Sequence, residues 1–145
     1  MSDEQLAVGQ VVASAGFDID RDALVHYAGA SGDFNPIHYR DDVATSVGLP
    51  GVIAHGMLTM GLAVQPVVAR FGADRVLEYG VRFTRPVPVP SEGTVRLEVE
   101  ATVGQLLDGE ARIDVTAKVD GQTVLGRAQV QVALGPRPPE APHAA

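Results

Sequence analysis

Between Thr94 and Ala133 the chain changes side with nearly every residue. Val95, Leu97, Val99, Ala101 and Val103 alternate with Thr94, Arg96, Glu98, Glu100 and Thr102, the period of two that marks a strand with one buried and one wetted face. The alternation returns at Ala111, Ile113, Val115, Ala117 and Val119 against Arg112, Asp114, Thr116 and Lys118, and residues 123–133 supply a further strand. Asp108-Gly109 and Asp120-Gly121 separate these runs, and Asp-Gly is a strong hairpin signal because tight turns need positive φ. The runs therefore predict an antiparallel meander whose apolar face needs a cover. The earlier stretch YGVRFTRPVPV, residues 79–89, reads as one more strand, and prolines at 86, 88 and 90 place its end at an edge or beyond the ladder.

The cover lies upstream. From about Gly56 to Phe71 the chain is apolar almost all round, with Met57, Leu58, Met60, Leu62, Ala63, Val64, Val67 and Val68. A helix without a polar face must be wrapped by other elements, and Pro66 predicts a kink. Residues 52–69 approach membrane-span length, but His55, Gln65 and Pro66 interrupt them and no basic flank follows, so the segment reads as a buried helix and no membrane is called for. A buried helix followed by an antiparallel meander is an α+β arrangement, a sheet curled around a helix with its polar face in water. The open edges of such a sheet predict pairing with a second subunit.

At 145 residues with 46% apolar content the chain suits one domain, residues 1–134. The tail GPRPPEAPHAA, residues 135–145, is proline-rich and reads as disordered. A net charge of −7 argues against nucleic acid or an anionic membrane as partner, since both need a basic footprint. The start, MSDEQLAVGQ, has no apolar core of a secretory signal. The lack of cysteine removes disulfides, thiol nucleophiles and thiolate metal sites, and it is compatible with a cytoplasmic location.

One segment does not belong to this pattern. DIDRDALVHYAGA, residues 18–30, reads as a short helix with Asp20 at its N-cap, and DDVATSVG as another, closed by Gly48 and Pro50. Between them Gly29, Gly32 and Pro36 predict a loop over 29–37. That loop carries Asp33 and Asn35, with His38 at its end. Imidazole plus carboxylate on a loop is the raw material of general acid-base catalysis, but Asp33 and Asn35 could equally make local turns to the backbone. His26 reads as a surface or satisfied side chain on the first helix, His143 lies in the tail, and His55 reads as a structural residue at a helix entry. Gly56, at the helix start, would let a ligand oxygen approach free backbone N–H groups, or else pack tightly. Zinc ligand spacing is not met by His38, His55 and a carboxylate, and there is neither a serine elbow nor a Gly-rich phosphate loop.

YAGASGDFNPIHY, residues 27–39, resembles the hydratase-2 motif of the MaoC-like (R)-specific enoyl hydratases and dehydratases. The motif core G-D-x-N-P-[LIV]-H is met at Gly32, Asp33, Phe34, Asn35, Pro36, Ile37 and His38. VIAHGMLTMG, from Val52 to Gly61, is similar to the start of that family's central helix, and the resemblance covers about residues 7–134. Within the family the pattern is nearest to the B subunits of actinobacterial (3R)-hydroxyacyl-acyl carrier protein dehydratases. It implies a hot-dog fold and a dehydratase of type II fatty-acid elongation, with no cofactor and no metal. By the same resemblance Asp33 and His38 form the catalytic pair and the Gly56 N–H binds the thioester oxygen, while Asn35, Ser31 and Gly32 support the loop or the substrate. The implied partners are an acyl thioester on acyl carrier protein or coenzyme A, and a second hot-dog subunit, identical or not. A non-catalytic or partner-dependent acyl-binding subunit and a hot-dog thioesterase are the alternatives. Arg40 stands two places after His38, where the family often has an acidic or small polar residue, so local contacts there are expected to differ.

Overall fold

The computed structural model describes residues 5–135; the tail expected to be disordered, all but its first residue Gly135, and His143 with it, lies outside these. The order of elements is β1 (Val11–Ile19), α1 (Arg21–Ser31), a 3-10 turn (Pro36–His38), α2 (Asp41–Ser46), α3 (Gly56–Phe71), a second 3-10 turn (Ala73–Arg75), β2 (Val76–Phe83), β3 (Val95–Leu107), β4 (Glu110–Val119), β5 (Gln122–Thr123) and β6 (Leu125–Ala133). One antiparallel sheet runs β1-β3-β4-β6-β2, with β5 paired to β4, and α3 lies on its concave face. This is the hot-dog arrangement, an antiparallel sheet packed along one side of a helix.

The meander forms as the alternation dictates. Val99, Ala101 and Val103 of β3 pair with Ala117, Val115 and Ile113 of β4, and all six are buried together with Leu97 and Ala111. The polar partners of these residues face water. Gly109 (φ 73°) makes the β3–β4 turn, and Asp120 and Gly121 (φ 50° and 76°) make the next, the paired left-handed residues that a two-residue hairpin turn needs.

The strand β1 has no clear alternation, because its middle is Ala13, Ser14, Ala15 and Gly16. Sequence reading misses it. It forms by pairing with β3, Phe17 opposite Leu97 and Ile19 opposite Val95, and its small residues pack less deeply than those of β3.

One expectation needs correction. Helix α1 runs through Gly29 to Ser31 and ends at Gly32 in the left-handed region (φ 76°), so the loop is shorter than residues 29–37. Glycine is cheapest at a helix C-cap and only modestly costly inside. Helix α3 is continuous through Pro66, and it packs against β1, β2, β3, β4 and β6 along one side. Its buried residues, Thr59, Ala63, Pro66, Val67 and Phe71, form one face, and Met57 is 58% exposed. A single sheet of this curvature covers only part of a helix, and the rest stays open in the lone chain. Among the described residues no helix is long and apolar enough to cross a membrane.

The prolines at 86, 88 and 90 have a positive use. Between them Val87 accepts from the Ala54 N–H at 2.9 Å and Val89 donates to the Val52 carbonyl at 2.9 Å. Proline takes the alternate positions, where no N–H is required. The chain leading into α3 is thus laid against residues 87–89, and it is pinned from the other side by the Ile53 N–H on the Ile37 carbonyl at 3.2 Å.

Candidate active site

The segment joining α1 to the first 3-10 turn is folded by its own side chains. Ser31 Oγ accepts from the Asp33 N–H at 3.1 Å, Asp33 Oδ1 from the Asn35 N–H at 3.1 Å, and Asn35 Oδ1 from the Ile37 N–H at 3.2 Å. Each oxygen reaches two residues forward, the geometry of side-chain-mimicked turns, and Pro36 then starts the 3-10 turn that ends on His38. The turn-forming reading of Asp33 and Asn35 is therefore realised, and it leaves the second carboxylate oxygen of Asp33 out of the turn.

That oxygen, Oδ2, lies 3.9 Å from His38 Nε2. This is beyond a direct hydrogen bond, but one oxygen atom placed between them is within reach of both. The Asp33 side chain is half-exposed, whereas His38 is 7% exposed. His38 Nδ1 sits 2.7 Å from the Ile53 carbonyl. A carbonyl can only accept, so Nδ1 carries the proton in the neutral ring and Nε2 is left bare, facing Asp33.

His55 precedes α3 and is 1% exposed. Its Nε2–H donates to the Asp33 carbonyl at 3.1 Å, its ring stacks on His38 with centroids 3.8 Å apart and planes 23° apart, and Tyr27 meets it edge-on at 4.8 Å. Burial above all holds its pKa below the ordinary histidine value, which disfavours the charged ring. Sequence reading took it for a helix-entry residue; the structure puts it beside Asp33 and His38.

Helix α3 has no side-chain cap, and no described residue accepts from the Gly56 N–H. The positive end of a 16-residue helix is therefore open next to His55. A Cβ on Gly56 would come within 2.9 Å of the ring of the exposed Phe83, so a larger residue there would displace either the ring or the helix start. A cavity of about 220 Å³ borders it, lined by Gly56, Thr59, Phe83, Val87 and Leu125 among others. Larger concavities of about 430 and 340 Å³ lie on the outer sheet face among exposed charged residues, away from these groups.

One donor atom from each of Asp33, His38 and His55 falls within 4.8 Å of the others. Metal–nitrogen bonds lie in the imidazole plane at about 2.0–2.1 Å. Two rings stacked 23° from parallel direct their lone pairs side by side and not toward one ion, so the trio is poorly built for chelation.

Arg40 turns away from this cluster and pairs with Asp42 at 2.6 Å. The neighbouring Asp41 accepts from the Val52 N–H at 2.9 Å and from Arg21 at 3.0 Å, tying α1 and α2 to the strand-like entry of α3. Nothing in the sequence singles out that clamp.

The sequence and the fold agree with one family. A profile of the MaoC like domain matches residues 4–123. The chain belongs to the MaoC-like family. Among solved structures it resembles a MaoC-like dehydratase at 35% identity and a TM-score of 0.87, covering 91% of this chain and 42% of that one. It also resembles the R-hydratase PhaJ1 of Pseudomonas aeruginosa at 29% identity and a TM-score of 0.68, covering 94% and 93% of the two chains. In sequence it is 43% identical over 65 residues to 3-hydroxyacyl-thioester dehydratase X of Mycobacterium tuberculosis. It is 33% identical over 130 residues to the fatty acid synthase beta subunit TOXC of Cochliobolus carbonum. Those alignments cover 45% and 75% of this MaoC-like chain but only 22% and 6% of the longer relatives.

Proposed function

We propose that this chain is a (3R)-hydroxyacyl thioester dehydratase, in the reverse direction an (R)-specific enoyl hydratase, with Asp33 and His38 as its acid-base pair. The observation that carries the reading is the bare His38 Nε2 facing the second Asp33 oxygen at 3.9 Å, beside an uncapped helix start at Gly56. The names of the relatives, a hydroxyacyl-thioester dehydratase and an R-hydratase, support it.

Dehydration takes a proton from C2, delivers one to the departing C3 hydroxyl and leaves a C2–C3 double bond. Hydration runs the same transfers backwards, with water attacking C3. A single oxygen, hydroxyl or water, held between Asp33 and His38 gives both groups access to the same proton inventory. The C2 proton is weakly acidic, and charge moves onto the thioester oxygen as it leaves. The Gly56 N–H at the positive end of α3 is a donor for that charge. The resulting reaction needs only these proton carriers and this donor. Asn35, Ser31 and Gly32 hold the loop that sets the pair.

The acyl group would be carried by acyl carrier protein or coenzyme A, and fatty-acid elongation is the setting the fatty acid synthase relatives favour. A second hot-dog subunit, identical or different, would complete the open face of α3 and the free edges of β1 and β2; light scattering on the purified chain separates a homodimer from a chain that awaits another partner. The activity test is hydration of crotonyl-coenzyme A and of longer enoyl thioesters, followed at the enoyl absorbance. Formation of the (R)-3-hydroxy product supports the reading, and release of free thiol with the double bond intact would replace it by a thioesterase.

A further inference from the structure

His55 occupies the N-cap position of α3, yet its side chain makes no capping bond. Helix entry therefore does not explain why a histidine stands there. Packing does not explain it either. The Nδ1 atom is buried with no hydrogen-bond partner among the described residues, and a phenylalanine or leucine would fill the same space without an orphaned acceptor, which is costly in a protein interior. What only a histidine supplies at this point is a flat ring with one N–H at its edge. Both features are used, and each on a different member of the pair: the face on His38, the edge on Asp33.

We propose that His55 is a positioning residue for Asp33 and His38 together. Its Nε2–H anchors the peptide that carries the Asp33 carboxylate, and its ring is the shelf that fixes the plane of the His38 imidazole. The anchor matters because the Asp33 side chain is half-exposed and is otherwise held by one oxygen on the Asn35 N–H. The shelf matters because the Ile53 carbonyl fixes His38 at Nδ1 alone, which leaves the ring free to swing about that bond. Tyr27, edge-on to His55, backs the shelf from α1. Burial also disfavours the charged ring, which keeps a second charge away from His38.

The inference rests on the acid-base reading of Asp33 and His38, and its test is chosen so that the two can fail separately. Crotonyl-coenzyme A hydration is measured for the parent, His55→Phe, His55→Gln and His55→Ala, with thermal melts and the ring ¹⁵N and ¹H resonances of His38 recorded on the same samples. Phenylalanine keeps the shelf and drops the anchor, glutamine keeps an N–H near the anchor and drops the shelf, and alanine drops both. The expected result is that His55→Ala melts cooperatively but loses about 10²-fold in kcat with KM within about threefold of the parent, a loss confined to the chemical step. His55→Phe and His55→Gln are expected to lose less, and the protected His38 Nδ1–H signal is expected to survive in His55→Phe and to disappear in His55→Ala. Folded variants with kcat within about twofold of the parent, or the failure of all three to fold, would make His55 a structural residue and overturn the proposal. If the parent hydrates no enoyl thioester, the acid-base reading fails by itself. The His38 resonances then decide alone: an unchanged Nδ1–H in His55→Ala refutes the positioning role, and its loss upholds it.

Discussion

The meander β3–β4–β6 and the segment from Ser31 to Gly56 are held together in opposite ways. In the meander the inward side chains from Leu97 to Val103, from Ala111 to Ala117 and from Ala128 to Val132 are apolar and buried, and neighbours substitute for one another as packing. In the segment, short polar side chains shape the backbone one contact at a time, through Ser31, Asp33, Asn35 and Asp41. The first region stores stability in area, and the second stores geometry in a few directed bonds. Damage to the first should unfold the molecule without altering the chemistry of what remains folded, and damage to the second should do the reverse.

The largest expected effect on the packing side is Ile113→Ala. Ile113 is fully buried at the centre of β4, between Val103 and Val130, and truncation in such a site costs about 2–5 kcal/mol. Denaturant titration should show that loss, while kcat per folded molecule stays at the parent value; a drop in kcat would blur the contrast between regions. Gly56→Ala should do the opposite. Its Cβ would crowd the Phe83 ring, and displacement of the α3 start should cost about tenfold in rate. Adding Phe83→Ala should return part of that loss if crowding is the cause, which a double-mutant cycle measures.

Asp41→Asn should have a smaller effect, on stability and in a pH-dependent way. The Val52 N–H, and next the Arg21 guanidinium, hold the Asp41 pKa below the ordinary 3.8. The charged carboxylate therefore favours the fold above that ordinary value, and the benefit is lost as pH falls through the lowered one. Melts of parent and variant should differ near neutrality and converge in acid. Tyr79 gives the alkaline counterpart. It donates to the Met60 carbonyl of α3 at 2.7 Å, and burial pushes its pKa up to about 12. Its contribution is whole below about pH 10 and lost as pH rises toward 12, so Tyr79→Phe should flatten the alkaline limb of the stability curve.

The two regions were also unequally legible. Strict alternation and Asp-Gly turns announce β3, β4 and their hairpins, because burial of one sheet face imposes a period that any reader can count. The start of α3 at Gly56 and the N-cap at Asp20 are visible for similar local reasons. Strand β1 is not, since Ala13 to Gly16 give no period and its pairing is decided by β3. In the site, Asp33, Asn35 and His38 are visible as a polar cluster on a turn, and their motif names the family. The part played by His55 and the Asp41 clamp is not visible, because each depends on contacts 11 to 22 residues apart in the chain. A single histidine before a glycine carries no local sign of what its ring will face. The extent of the sheet's cover over α3 is not visible either: the sequence shows that the helix is apolar nearly all round, not how much of it one sheet reaches.

The most direct measurement sets Asp33→Asn and His38→Ala beside Ile113→Ala in one assay of crotonyl-coenzyme A hydration, each rate normalised to the folded fraction. Asp33→Asn and His38→Ala are expected to lose about 10² to 10⁴ in kcat with near-parent melting, and Ile113→Ala to lose none. Rates for Asp33→Asn and His38→Ala that match the parent, at the same folded fraction, would contradict the claim that this loop carries the chemistry.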